Sequence, residues 1–211
     1  MGTNCAPPLA NLYLYAYESD FIDRLEMTQP KAARSFHMTF RLIDDVLSAD
    51  NQFLRQYIGK TAEEGGIYPR ALTLNETSIS ADEVNFLGMK IRSNGSSFRV
   101  DVFDKRTEFP FRVLRYPCTD SLIPASIPYG VFVGQLHRFY RICTDLTDFL
   151  RNTLVLVATL QDQGCTMQRL SKCFHAFVAS RPRLRWRQTV AAICCLFTRK
   201  CGELPRSPPW R

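Results

Sequence analysis

The sequence has 211 residues, of which 45% are apolar, and carries a net charge of +7. This length and apolar content predict one globular unit, or one unit with a small appendage. The longest apolar runs, residues 154–158 and 190–197, are too short to cross a membrane, and no secretory signal is visible at the N-terminus. We therefore expect an intracellular protein, nuclear or cytoplasmic, with no membrane partner.

The eight cysteines show no Cys-x-x-Cys spacing. Cys165, Cys173 and His175 are the best candidates for a zinc site, but their spacing fits poorly. Reduced thiols in the protein interior are the favoured interpretation, which agrees with a reducing compartment.

A helix is predicted over residues 8–27, after a short loop that contains Gly2 and ends in Pro7 and Pro8. Proline is well tolerated in the first turn of a helix. The apolar residues that follow have helical spacing, at Leu9, Leu12, Tyr13, Ala16, Phe21, Ile22 and Leu25.

Two adjacent acids, Asp44 and Asp45, interrupt the apolar run of residues 38–47. The flanks are rich enough in β-branched and aromatic residues to form two short strands, with the acids where the chain reverses. Two carboxylates this close repel each other unless a cation lies between them, and hard divalent cations prefer such oxygen ligands. A solvated turn is the alternative, because aspartate is a common turn residue.

Further elements are predicted along the rest of the chain. A helix is expected over residues 51–64, followed by strands over 71–74, 86–92, 98–103 and 111–116. Asn94-Gly95 is a strong signal for a hairpin turn. Helices are expected over residues 129–143, 145–163, 166–179 and 186–200, so the fold class is α+β.

The basic residues are concentrated at the C-terminal end. Residues 165–211 contain ten Lys and Arg and a single acid, which gives +9, whereas the rest of the chain sums to −2. Four arginines alternate around one tryptophan, and these candidate nucleic-acid contacts are Arg181, Arg183, Arg185, Trp186 and Arg187. A solvated, partly disordered tail is the equal alternative, supported by the prolines near residue 208.

Two of these motifs, in this order and about thirty residues apart, resemble the palm of a reverse transcriptase. The family's second sequence block reads roughly Gln-Gly-x-x-x-Ser-Pro-x-Leu-Ala-Asn-Leu-Tyr, and the matching residues are Gly2, Pro7, Leu9, Ala10, Asn11, Leu12 and Tyr13. Met1 stands at the Gln position and Ala6 at the Ser position. The third block, Tyr-x-Asp-Asp, is matched by Ile43, Asp44 and Asp45, with Leu42 in place of the tyrosine.

The resemblance extends to about residue 180 and is closest to eukaryotic retroelements such as Penelope-like elements. Residues 85–91 are similar to the family's Phe-Leu-Gly block, and residues 101–111 and 127–143 to the passage from palm to thumb. The resemblance implies a partial palm over residues 1–116, a thumb-like helical region over 117–180 and a basic tail over 181–211.

The resemblance also implies functional roles. Asp44 and Asp45 would be catalytic and hold Mg²⁺ or Mn²⁺ for DNA synthesis on an RNA template, with an RNA–DNA hybrid as partner. Gly2, Pro7 and Ile43 would lie at the nucleotide. The primer grip would consist of Phe86, Leu87 and Gly88.

Two features of the family have no counterpart in this sequence. The family's first metal-binding aspartate precedes the glycine loop, and a lysine precedes the primer grip; here residues 72–76 contain no lysine. Two-metal transfer needs carboxylates that bridge both ions. We therefore expect a truncated polymerase that does not extend a primer by itself. A non-catalytic nucleic-acid-binding module and a retroelement remnant without a selected role remain the alternatives.

Overall fold

The structure is a computed structural model that describes residues 5–78, 80–111, 113, 116–181, 186 and 188–203, without the side chain of Thr107. The fold class is α+β, as predicted. The chain divides into two compact units, residues 1–78 and 79–211. The boundary inferred from the resemblance, at residue 116, lies inside the second unit.

The first unit combines helices with one hairpin. Its elements are α1 (Ala6–Thr28), α2 (Pro30–Ser35), β1 (Thr39–Leu42), β2 (Asp45–Ser48) and α3 (Leu54–Ile58). α1 begins with proline in its first turn, as the sequence predicts. Only its C-terminal half is buried, through Phe21 and Leu25, whereas Leu9 and Leu12 are exposed.

The core of the first unit is small and aromatic. Phe21 packs edge-on against Phe36 and Tyr57, and two buried alanines of α2 allow the helices to approach closely. The predicted helix over 51–64 is shorter than expected. α3 ends at Ile58, with Gly59 as its C-cap, and a separate 3-10 turn, Ala62–Glu64, follows it.

The second unit begins with an antiparallel three-stranded sheet. Its strands are β3 (Glu83–Phe86), β4 (Met89–Ser93) and β5 (Phe98–Val102), in the order β3-β4-β5. The Asn94-Gly95 hairpin turn is confirmed, since Gly95 has φ of +84° and Asn94 Oδ1 accepts a hydrogen bond from Ser97 N at 2.8 Å.

Two strand predictions are wrong, and a third lies partly outside the described residues. The strand predicted over 86–92 is broken by a tight turn at Leu87 and Gly88, because both residues have positive φ. Residues 71–74 form no strand, and no strand among the described residues pairs with them. The strand predicted over 111–116 is not tested, because residues 112, 114 and 115 lie outside the described residues.

Within the described residues, four helices follow the sheet. They are α4 (Ile127–Ile142), α5 (Leu146–Asp162), α6 (Met167–Ala179) and α7 (Val190–Gly202). All four were predicted, with α7 beginning at residue 190 instead of 186. Their shared core contains fully buried phenylalanines, including a stacked pair, Phe174 and Phe197, with ring centroids 3.8 Å apart. No helix among the described residues is long and apolar enough to span a membrane.

Candidate functional site: an aspartate hairpin anchored by arginine

The Asp hairpin, formed by β1 and β2, carries the two candidate acids at its tip. Leu42 pairs with Asp45, so the reversal takes only two residues, Ile43 and Asp44. Both aspartates are exposed, and neither side chain has a hydrogen bond or ion pair with any described residue. The predicted placement of the acid pair at a chain reversal is therefore observed.

The turn holds an unfavourable backbone conformation. Ile43 has φ of +55°, in the left-handed region that β-branched residues rarely adopt. Hairpins with two-residue turns ordinarily place glycine, asparagine or aspartate at such positions. Strain of this kind costs about 1–3 kcal/mol and persists only where surrounding contacts impose the conformation.

Those contacts come from Arg41. Its Nε donates to Glu18 Oε1 at 2.6 Å, and one Nη donates to Asn11 Oδ1 at 2.7 Å and to the carbonyl of Ile43 at 3.3 Å. Glu18 and Asn11 belong to α1, so a single guanidinium joins the turn of the hairpin to the helix. The Arg41 side chain is only 13% exposed, which strengthens these charge-assisted bonds.

Tyr68 completes this Arg41 network, defined here as Asn11, Glu18, Arg41 and Tyr68. Its hydroxyl donates to Glu18 Oε1 at 2.6 Å. Burial, followed by the hydrogen bond to the Glu18 carboxylate, raises the pKa of Tyr68 well above its ordinary value. Glu18 consequently accepts hydrogen bonds from both Arg41 and Tyr68. Its carboxylate is bonded inside the first unit and is not a ligand at the hairpin tip.

The chemistry of the donor set partly suits a divalent metal. Two exposed carboxylates without a partner among the described residues are hard oxygen ligands of the kind Mg²⁺ and Mn²⁺ prefer. Within the described ranges, however, no group of three or more His, Cys, Asp or Glu residues could hold a metal ion. Asp44 and Asp45 therefore offer a partial ligand set, which water would have to complete.

The other residues predicted for a nucleotide site are only partly described. Pro7 lies exposed in the first turn of α1, and Ile43 is in the turn of the hairpin, 37% exposed. Gly2 lies outside the described residues.

The predicted primer grip forms the β3–β4 turn of the second unit. Phe86 pairs with Met89, and the intervening Leu87 and Gly88 have φ of +49° and +73°. Leu87 projects at the tip with 44% of its surface exposed. Two positive φ values are the hallmark of the tightest hairpin turns, so this segment presents an apolar side chain on a rigid turn.

Two of the five predicted nucleic-acid contacts in the tail are described, and both make contacts within the second unit. The Arg181 guanidinium lies over the Phe177 ring, 3.4 Å from its centroid, and donates to His137 Nδ1 at 3.1 Å. The Trp186 ring packs 4.9 Å from Phe149, and its Nε1 donates to the carbonyl of Thr144. Arg183, Arg185 and Arg187 lie outside the described residues.

Arg41 was not predicted from the sequence. The available signal was a charged residue three positions before Asp44, on a strand whose neighbours are apolar. Its partners on α1 are 23 and 30 residues away in sequence, so no short-range pattern could have identified them. No family model, curated protein or solved structure matches the chain.

Proposed function

We propose that this chain is a reverse-transcriptase-type protein whose Asp hairpin binds a divalent metal ion and whose partner is an RNA–DNA hybrid. The observation that carries the proposal is the two-residue turn with exposed Asp44 and Asp45, fixed to α1 by Arg41. A solvated turn would need neither a strained isoleucine nor a partly buried arginine bound to its carbonyl. The motif order in the sequence supports the same assignment.

Each part of the Asp hairpin has a definite task in this proposal. Asp44 and Asp45 supply carboxylate oxygens, and the metal would neutralise charge on the transferring phosphate. Arg41 sets the position of the turn through its bonds to Asn11 and to the Ile43 carbonyl. Because the described residues supply no third ligand, we expect weak metal binding and no primer extension by this chain alone.

Metal binding is tested with Mn²⁺, whose paramagnetism broadens NMR signals of nearby residues. We expect broadening centred on residues 42–46 and its loss in the Asp44→Asn, Asp45→Asn double variant. The matched control is Asp20→Asn with Asp23→Asn, which removes the same charge from exposed positions on α1. Equal losses in the two double variants would show a diffuse electrostatic effect and would defeat the site assignment.

Catalysis is tested by primer extension on an RNA template with Mg²⁺ or Mn²⁺. We expect no template-dependent incorporation by residues 1–211. Incorporation that disappears in Asp44→Asn would contradict the expected inactivity while supporting the polymerase assignment. Incorporation that survives in Asp44→Asn would point to a contaminating enzyme.

A non-catalytic nucleic-acid-binding module is the second candidate, favoured by the +9 charge of residues 165–211. Replacing Arg183, Arg185 and Arg187 by Gln removes three cations and leaves the packed Trp186 in place. If these arginines contact phosphates, the slope of log affinity against log salt should fall by roughly 0.7–0.9 per contact. An unchanged slope would show that the arginines are solvated.

A further inference from the structure

Two cysteines of the second unit lie close together in space, although they are far apart in sequence. Cys118 is half-buried in the segment before α4, and Cys165 is buried in the loop between α5 and α6. The charge of the Cys118 thiolate acts directly on Cys165, which places the two thiols near each other. Both are free thiols in the structure.

Backbone contacts hold the two segments together. Thr119, next to Cys118, donates its backbone N–H to the carbonyl of Gln163 at 2.9 Å, and its hydroxyl donates to the same oxygen at 3.2 Å. A Cβ added at Gly164 would lie 2.1 Å from Thr119 Oγ1, so glycine is needed for the chain before Cys165 to approach this closely. Disulfides join Cα atoms about 4.4–6.8 Å apart, which is the range found between hydrogen-bonded chain segments.

The Cys165 thiol is the more shielded of the two. The Tyr129 hydroxyl, on α4, hydrogen-bonds to it and also accepts from the backbone N–H of Thr166 at 3.1 Å. The Arg169 guanidinium lies over the Tyr129 ring, 4.2 Å from its centroid. Burial raises the pKa of the Cys165 thiol, whereas the Tyr129 hydrogen bond and the Arg169 charge act in the opposite direction. An oxidant in solution therefore reaches Cys118 before Cys165.

We infer that Cys118 and Cys165 form a reversible disulfide on exposure to hydrogen peroxide, and that this bond fastens the segment before α4 to the α5–α6 loop. An accessible thiol beside a second, resolving cysteine is the usual arrangement at sites of reversible oxidation. In reducing compartments such bonds are transient and serve as redox sensors. The inference goes beyond the proposed function, because it involves neither metal nor nucleic acid.

The oxidation proceeds in two balanced steps. The Cys118 sulfur attacks one oxygen of hydrogen peroxide, so an S–O bond forms and the O–O bond breaks. The departing hydroxide takes up the thiol proton and leaves as water. The Cys165 sulfur then attacks the Cys118 sulfur, so the S–S bond forms and the S–O bond breaks, and a second water leaves with the Cys165 proton. Two thiols lose two electrons, and one peroxide is reduced to two waters.

Peptide mapping of the whole folded chain tests the pairing. Trypsin places the two cysteines in separate peptides, residues 116–138 and 152–169, neither of which contains another cysteine. After peroxide treatment and alkylation of the remaining thiols, we expect mass spectrometry to find these two peptides linked, and dithiothreitol to separate them. Linkage of Cys118 to a different cysteine, or linkage of this pair only in denaturant, would overturn the inference.

Thermal unfolding tests the effect of the bond on the second unit. A disulfide that closes a loop containing α4 and α5 should raise the melting temperature by roughly 5–10 °C relative to the reduced protein. Cys118→Ser should abolish both the linked peptides and this rise. The matched control is Cys195→Ser, which removes an exposed thiol from α7 and should preserve both. Linkage without a rise, or an equal loss in the two variants, would overturn the proposed switch.

Discussion

The two units each contain a notable pair of aspartates, and the pairs differ in every physical respect. Asp44 and Asp45 are exposed at a hairpin tip, without side-chain partners among the described residues. Asp101 and Asp148 are buried, 5% and 0% exposed, and are surrounded by cations. The first pair has free coordination capacity, whereas the second has none.

The buried acid network, formed by Asp101 and Asp148 with Arg99 and Arg151, joins β5 to α5. Arg99 makes a fork with Asp148, at 2.8 and 2.9 Å, and Arg151 bridges both aspartates. Cys143 lies against Asp101, and burial, together with that negative charge, raises the pKa of its thiol to about 12. The carboxylates of Asp101 and Asp148 are thus already bonded to arginines and stabilise the fold. A pair of aspartates therefore indicates a functional site only where no such partners are bonded to it.

Replacing Arg151, which bridges Asp101 and Asp148, should give the largest loss of stability. Arg151→Met leaves two buried carboxylates without one of their partners, so we expect the free energy of unfolding to fall by about 2–3 kcal/mol. This loss is smaller than for a fully buried ion pair, because the Arg151 side chain is half exposed. Urea unfolding followed by Trp186 fluorescence, in a Trp210→Phe background, measures it. Asp44→Asn with Asp45→Asn should change stability by no more than about 0.5 kcal/mol. Similar losses in the two variants would remove the distinction between the pairs.

Acid should also act on the two pairs differently. Burial alone would raise the pKa of Asp148, but the hydrogen bonds and charges of Arg99 and Arg151 outweigh it and lower that pKa. The resulting stability is fully present above the unfolded pKa of about 4 and is lost as pH falls through the lower folded value. Trp186 fluorescence should report unfolding below about pH 4, and the transition should be flatter in Asp148→Asn. An identical acid transition in that variant would exclude Asp148 as its source.

Arg41 is the corresponding anchor of the exposed pair, and its loss should have an intermediate effect. Arg41→Met leaves Glu18 with Tyr68 as its remaining partner and frees the Ile43 carbonyl, so we expect a loss of about 1–2 kcal/mol. Hydrogen exchange of residues 39–48 measures it locally, and Mn²⁺ broadening should weaken in parallel. Arg41→Lys keeps the charge but not the fork, so it serves as the control. If Arg41→Lys behaves like the wild type, charge alone anchors the hairpin.

The features that could be predicted from the sequence are those whose residues lie close together in it. The Asp hairpin and the Asn94-Gly95 turn were found because their signals are local, and the four helices because apolar periodicity extends over many residues. Arg41 was not found because its role depends on contacts with α1, far away in sequence. The strand predicted over 86–92 failed because leucine at positive φ gives no turn signal.

The two strained turns give the smallest and most specific test of the comparison. Ile43 and Leu87 both have positive φ, but only isoleucine is β-branched, so its strain should be the greater. Glycine relieves this strain at the cost of extra entropy in the unfolded chain. We therefore expect Ile43→Gly to stabilise the hairpin by up to about 1 kcal/mol and Leu87→Gly to change stability less. Hydrogen exchange in residues 39–48 and 83–93 measures both. If Ile43→Gly stabilises the hairpin but weakens Mn²⁺ binding, the strain at Ile43 orients the carboxylates. If Ile43→Gly destabilises the hairpin, the apolar contacts of the Ile43 side chain outweigh the cost of its backbone conformation.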